Sequence, residues 1–248
     1  IDAGTSSVAL GAVGDSGSTQ IHNLTVTGDG GITLSGNIYT SADDTSAADI
    51  TFNDTVSIQG TVVIDSNDSA RDGTITFTTG IEGADGTGDN LTIEGGTAAV
   101  TLVPIGVNTA LSSLTIANAS TSTATITVPN IGSGAIGNVA GAGVTGAVSI
   151  GNTSADSIVM SGNIYKTGGA VTLTTEGGTN AADIEIDFTK GAAVFIATSG
   201  DNVSLVGGDV SLANGSHLTI DTNIADGETN GGNISIAGGI DGTSDENL

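Results

Sequence analysis

The chain has no cysteine and no tryptophan in 248 residues, only three basic residues, two prolines and 2% aromatics. Without cysteine there is no disulfide framework, no thiol nucleophile and no zinc–thiolate site. Arg71, Lys166 and Lys190 stand against 27 acidic residues, for a formal charge of −24. Affinity for nucleic acid rests on neutralising phosphates with Lys and Arg, so a nucleic-acid partner is excluded, and an anionic membrane surface is disfavoured on the same ground. No run of about 18 apolar residues occurs, so membrane insertion as a helix is not expected. The scarcity of aromatics argues against a large three-dimensional core and for a thin one built from Val, Ile, Leu and Ala.

What the chain does contain is glycine, 40 residues of it, and repetition. The recurring element is an apolar–polar–apolar triplet: Leu24-Thr25-Val26, Ile50-Thr51-Phe52, Ile75-Thr76-Phe77, Leu91-Thr92-Ile93, Leu114-Thr115-Ile116, Ile126-Thr127-Val128, Val148-Ser149-Ile150 and Val171-Thr172-Leu173 are examples. Alternation with β-branched enrichment puts the outer two side chains on one face of a short strand and Thr or Ser on the other. Gly, Asn, Asp and Ser fill the gaps and supply turns. No segment has helical periodicity. Triplets recurring about every 6 to 18 residues are too dense for hairpins of long strands and imply short strands stacked into a β-solenoid. The reading is an all-β chain, a right-handed parallel β-helix of about ten coils, each of about 19–25 residues and about 4.8 Å of axis.

Longer echoes lie above the triplet. Ile1–Gly14 returns as Ile93–Gly106 with six identities, Ser35–Tyr39 as Ser161–Tyr165, Ala47–Ile50 as Ala181–Ile184, Val63–Asn67 as Thr219–Asn223, and Gly80–Gly83 as Gly239–Gly242. They suggest one continuous solenoid over 1–248, with a first unit of about 1–92 and an expanded second unit of about 93–248. The expansion is mainly the Gly/Ala-rich stretch 129–147, expected to add coils or a protruding loop. Tyr39 and Tyr165 are expected to share a packing role, and Phe52, Phe77 and Phe188 to lie in the core. The chain reads as a window from a longer protein.

Units of the form Leu-Thr-Ile-x-Gly-Gly-Thr-x-x-Val-Thr-Leu, as at Leu91–Leu102, with Ile-Thr-Phe strands between them, resemble the giant β-strand-repeat exoproteins of bacteria, similar to filamentous-haemagglutinin-type adhesins and autotransporter passengers. That resemblance implies export to the cell surface or beyond, as part of a fibre, stalk or biofilm matrix, with adhesive or structural duty. The partners it implies are flanking repeats, further copies joined end to end, or a cell-surface or glycan ligand. No enzyme activity is expected. Polygalacturonase-like β-helical enzymes carry clustered aspartates with Gly-His-Gly and Arg-Ile-Lys; here Asp43-Asp44 stands without either motif.

The candidate chemistry is acidic. Asp183, Glu185 and Asp187 alternate along one strand face, the pattern of a Ca²⁺ site, of a glycosidase carboxylate pair, or of a solvated outer face. Asp85 and Asp89, in Gly83–Asn90, form a second candidate Ca²⁺ turn, and Asp226–Asn230 a third; no other cofactor is expected. Thr-x-Thr runs such as Thr25–Thr27 and Thr76–Thr78 raise an ice-binding reading, which requires one face flat and regular over many coils; the varying turn lengths argue against it. Asn-x-Ser/Thr acceptors such as Asn23, Asn53 and Asn202 are as frequent as composition alone would give.

Overall fold

In the computed structural model the chain forms parallel sheets wound as a β-solenoid, and no helix occurs among the described residues. The structure describes residues 1–16, 20–41, 48–67, 72–117, 122–134, 141–152, 155–176, 184–213, 215–224 and 230–242. Each coil visits three faces in order. The first face holds Val8–Leu10, Ile32–Leu34, Val56–Ile58 and Ile81–Gly83, and resumes with Ile164–Lys166, Ala193–Ala197 and His217–Asp221. The second is an eight-stranded sheet from Ile38–Tyr39 to Ile234–Ile236, and the third a nine-stranded sheet from Leu24–Val26 to Ile240–Gly242. Every pairing between these strands is parallel.

The triplets explain the register. In Ile50-Thr51-Phe52 the outer residues are fully buried and the middle one is half-buried, and the same pattern holds at Ile75–Phe77 and Val56–Ile58. Stacking coils therefore lines up like residues. On the third face Val26, Phe52 and Phe77 follow one another inward. On the second, Ile64, Ile93, Ile116, Ile150 and Leu173 do the same. The result is one contiguous apolar core along the axis.

Coils are longer and fewer than the triplet spacing suggested. One turn of the chain carries Val8 onto Ile32, a later and much longer one carries Ile116 onto Ile150, and no sheet exceeds nine strands. The triplet spacing misleads because a coil carries three strands plus corners of variable length, and the corners absorb the difference. The segment 129–147 adds no coil of its own among its described residues. Ile131 bridges Ile105 below and Tyr165 above, and Val144 bridges Leu111 and Thr167, so both ends of the segment are part of the wall.

The sequence echoes do not all fall on equivalent positions. Ser35–Tyr39 turns the corner from first face to second, whereas Ser161–Tyr165 turns from third to first. Ile1–Gly14 begins at the third face, where Asp2 bridges Thr27, while Ile93 lies on the second. The two tyrosines differ accordingly. Tyr39 is half-buried and its hydroxyl accepts from Asn37 Nδ2 at 3.0 Å. Tyr165 is buried, donates to Val128 O at 3.1 Å and accepts from Gly162 N–H at 2.7 Å. The shared packing role expected of them does not hold, because one strand–turn–strand phrase serves different corners of the coil.

Candidate functional site

Irregularity concentrates where the first face meets the second, from the fourth coil to the seventh. The inward column Leu10, Leu34, Ile58 ends at Gly83, where a Cβ would lie 2.2 Å from Ala110 O and 2.9 Å from Asp89 Oδ2. Beyond it the first face shrinks to single bridges at Ile105 and Ile131, and an extra column of bridges, Leu111–Val144–Thr167, opens beside it. Among the described residues the buried ionisable side chains, Glu82, Asp89, Tyr165 and Lys166, all lie in these coils.

Two carboxylates hold the widened corner together. Glu82 accepts from Asn108 N–H at 3.0 Å, Asn108 Nδ2 at 3.0 Å and Thr109 N–H at 2.9 Å, all in the coil that follows. Asp89, 1% exposed, accepts from Gly60 N–H at 3.0 Å through Oδ1, and from Asp85 and Gly86 N–H at 3.1 and 3.0 Å through Oδ2. Burial pushes its carboxyl up, but the backbone N–H donors of Gly60, Asp85, Gly86 and Ala84 outweigh burial and hold it below the usual carboxylate value. Such groups satisfy backbone donors that the sheet ladder cannot reach at a corner.

Lys166, 1% exposed, donates from Nζ to Ser133 O at 3.1 Å, tying the first-face strand to the glycine-rich segment, and burial lowers its ammonium's affinity for a proton. Burial likewise pushes the Tyr165 hydroxyl up, countered by the Gly162 N–H. Gly106, Gly132, Gly141 and Gly143 crowd the same corner: a Cβ on Gly143 would meet Gly132 N at 2.2 Å, and one on Gly106 would meet Gly143 O at 2.1 Å. At these four positions glycine allows close packing of backbone on backbone.

Asp85 and Asp89 do share one turn, but both Asp89 oxygens face N–H donors and Asp85 Oδ1 accepts from Thr87 N–H at 2.8 Å. The polarity at Asp89 is that of an anion held by amides, opposite to the oxygen cage that Ca²⁺ requires. Asp183 lies outside the described residues, as do Asp43-Asp44, Asp226 and Glu228. Glu185 belongs to the strand Ile184–Phe188, but only Asp187 of the three has a described side chain. Burial raises the Asp187 carboxyl, partly offset by a hydrogen bond from Ser211. Its register partners are Val159 and Ser211, so the adjacent rungs of its column bring no second carboxylate beside it. Among the described residues no group of three or more His, Asp or Glu is placed to hold a metal ion.

No family model, curated protein or solved structure matches the chain.

Glu82 and Asp89 were missed as corner ties because an acid beside glycines reads equally as a solvated turn. The usable signal was Gly-x-Gly-Asp-Asn immediately before an apolar triplet, where amides must turn inward ahead of the strand. Asp89→Asn, which cannot accept three amide bonds, is expected to cost about 1–3 kcal/mol at neutral pH. Since the folded carboxyl lies below its unfolded value, the stabilisation is present above the unfolded value and is lost as pH falls through the folded one. Thermal melts of wild type and Asp89→Asn at pH 7 and at about pH 2–3 should show the gap between them closing in acid.

Proposed function

We propose that this chain is a rigid segment of an extracellular or cell-surface fibre or stalk, and that its role is mechanical reach. The observation that supports this reading is continuity: a nine-stranded and an eight-stranded parallel ladder run beside one unbroken apolar core. Such a body grows in one dimension and transmits position along its axis. The resemblance to exported β-strand-repeat proteins supports the same compartment. Ile234, in the outermost second-face strand, is 50% exposed, and flanking repeats or further copies joined end to end would cover it. An adhesin role is the second reading.

Electron microscopy of the native material tests the proposal. The expected result is thin rods with an axial repeat of about 4.8 Å in diffraction. Compact particles with no elongated body would overturn it, and rods ending in a separate globular tip would confine these residues to the stalk.

A further inference from the structure

The third face carries a feature that neither the corner chemistry nor the rod reading uses. Its outward centre column over the first five coils is threonine throughout: Thr25 pairs with Thr51, Thr51 with Thr76, Thr76 with Thr101 and Thr101 with Thr127. The chain returns to this column at almost constant intervals, in contrast to the uneven second face. Turn lengths do vary, but the corners take up the variation and this column stays in register. None of the five hydroxyls is engaged by another side chain among the described residues. Thr25, Thr101 and Thr127 are exposed, and Thr51 and Thr76 half-buried.

The flanking columns are short polar side chains for the most part. One runs Asn23, Asp49, Thr74, Ala99 and Thr125; the other begins Asp2, Thr27, Asn53 and Thr78. In a chain of charge −24 the described residues place two carboxylates in these flanks: Asp49, whose Oδ1 accepts from Thr74 N–H at 2.8 Å and Oγ1 at 2.9 Å, and Asp2 at the outermost rung, beside the N-terminal ammonium that donates to Thr25 O at 2.8 Å. The Thr column ends at Val159, after which Asp187 and Asp241 bring charge back at alternate rungs.

We propose that this threonine face binds an ordered water lattice, the surface of ice. Five rungs of about 4.8 Å by about four residues of 3.3 Å give a patch of a few hundred Å². A specific protein partner needs about 800 Å² per side, so the patch is too small for a second copy or another protein. Crystalline polysaccharide is disfavoured because the patch has no aromatic ring to stack on a sugar, and aromatics are prominent in sites that grip small organic ligands. What it offers is a column of five threonines, each hydroxyl a donor and acceptor beside a methyl group, repeated at the rung spacing. Water bridging such groups bonds nearly as well as a direct contact and costs little to immobilise when its partners are already rigid. Charged groups would impose hydration shells of their own; the five threonine rungs carry none, and Asp2 and Asp49 stand only in the flanks.

The second face serves as an internal control. Its outward column runs Thr92, Thr115, Ser149, Thr172 and Ser204, so methyls are missing at two of these five rungs. The test is ice itself: slow growth of an ice hemisphere in solutions of wild type, Thr101→Lys and Thr115→Lys, measuring protein in the ice fraction. Wild type and Thr115→Lys should enter the ice, and Thr101→Lys should fall roughly tenfold or more. Thr101→Ser, which keeps the hydroxyl and leaves the strand undisturbed, should fall in the same direction and covers the case in which the lysine variant does not fold. Exclusion of wild type from ice overturns the proposal. So does equal loss in Thr101→Lys and Thr115→Lys, or retention on crystalline cellulose or chitin without entry into ice. A dimer seen by sedimentation that Thr101→Lys abolishes, with no ice uptake, would assign the face to a second copy instead.

Discussion

Gly143→Ala is expected to destabilise the solenoid by about 3 kcal/mol or more, at the damaging end for a single methyl group. The added Cβ would lie 2.2 Å from Gly132 N, 2.6 Å from Ile105 O and 2.8 Å from Gly132 Cα. All three are backbone atoms, Ile105 O on the adjacent coil and the Gly132 atoms on the other arm of the same glycine-rich segment, so no side chain can rotate away and the backbones themselves must part. Parting them breaks the Leu111 N–H bond to Gly143 O at 2.9 Å and the Gly143 N–H bond to Lys166 O at 2.9 Å. The matched control is Gly88→Ala. Gly88 has φ +74° with nothing within 4 Å of a Cβ, so its substitution carries only the conformational cost of a left-handed backbone, about 1–2 kcal/mol. Chemical denaturation of both variants decides the matter: equal losses would mean that backbone conformation, and not coil-to-coil contact, governs the glycines of 129–147.

Phe77→Ala is expected to cost about 3–5 kcal/mol. Phe77 is 1% exposed and stacks on Phe52 with ring centroids 5.2 Å apart at 27°. In a globular core, neighbours can relax into such a void from several directions. Here the rungs above and below are fixed by parallel ladders, so the cavity stays open and its full cost is felt. Phe77→Leu, which keeps most of the volume, should recover the larger part of the loss. A melt of Phe77→Ala within a degree or two of wild type would show that the column is not a continuous packing unit.

Much of this fold was legible in the sequence because the triplet is a strand in miniature. Ile50-Thr51-Phe52 and Ile75-Thr76-Phe77 announce both the strand and its inward face, and their sameness announces the stacking. Coil length was not legible, because what joins successive strands is a corner, and a corner of any length that returns the chain to register serves. The long echoes misled for a related reason. Ser35–Tyr39 and Ser161–Tyr165 are the same local phrase, strand end, tight turn and strand start, and nothing in that phrase encodes which of three faces comes next. Asp85 and Asp89 do share one turn, but a carboxylate that gathers amides and one that awaits a cation have the same composition. Only the direction of the surrounding N–H groups separates them. Tyr165 and Lys166 as buried groups had no sequence signal, since their partners Val128 and Ser133 belong to the preceding coil.

The unequal coils have a consequence for extension under load. Tension along the axis acts in the direction of the hydrogen bonds between rungs, so the body yields by peeling one coil at a time from an end. Each coil lost surrenders about 4.8 Å of rod and releases a loop of chain that spans about 3.3–3.6 Å per residue. The coil that carries Val8 onto Ile32 releases a short loop, and the one that carries Ile116 onto Ile150 a much longer one. Length is therefore stored in unequal packets, and a fibre of such coils would lengthen by uneven jumps long before its covalent chain was taut.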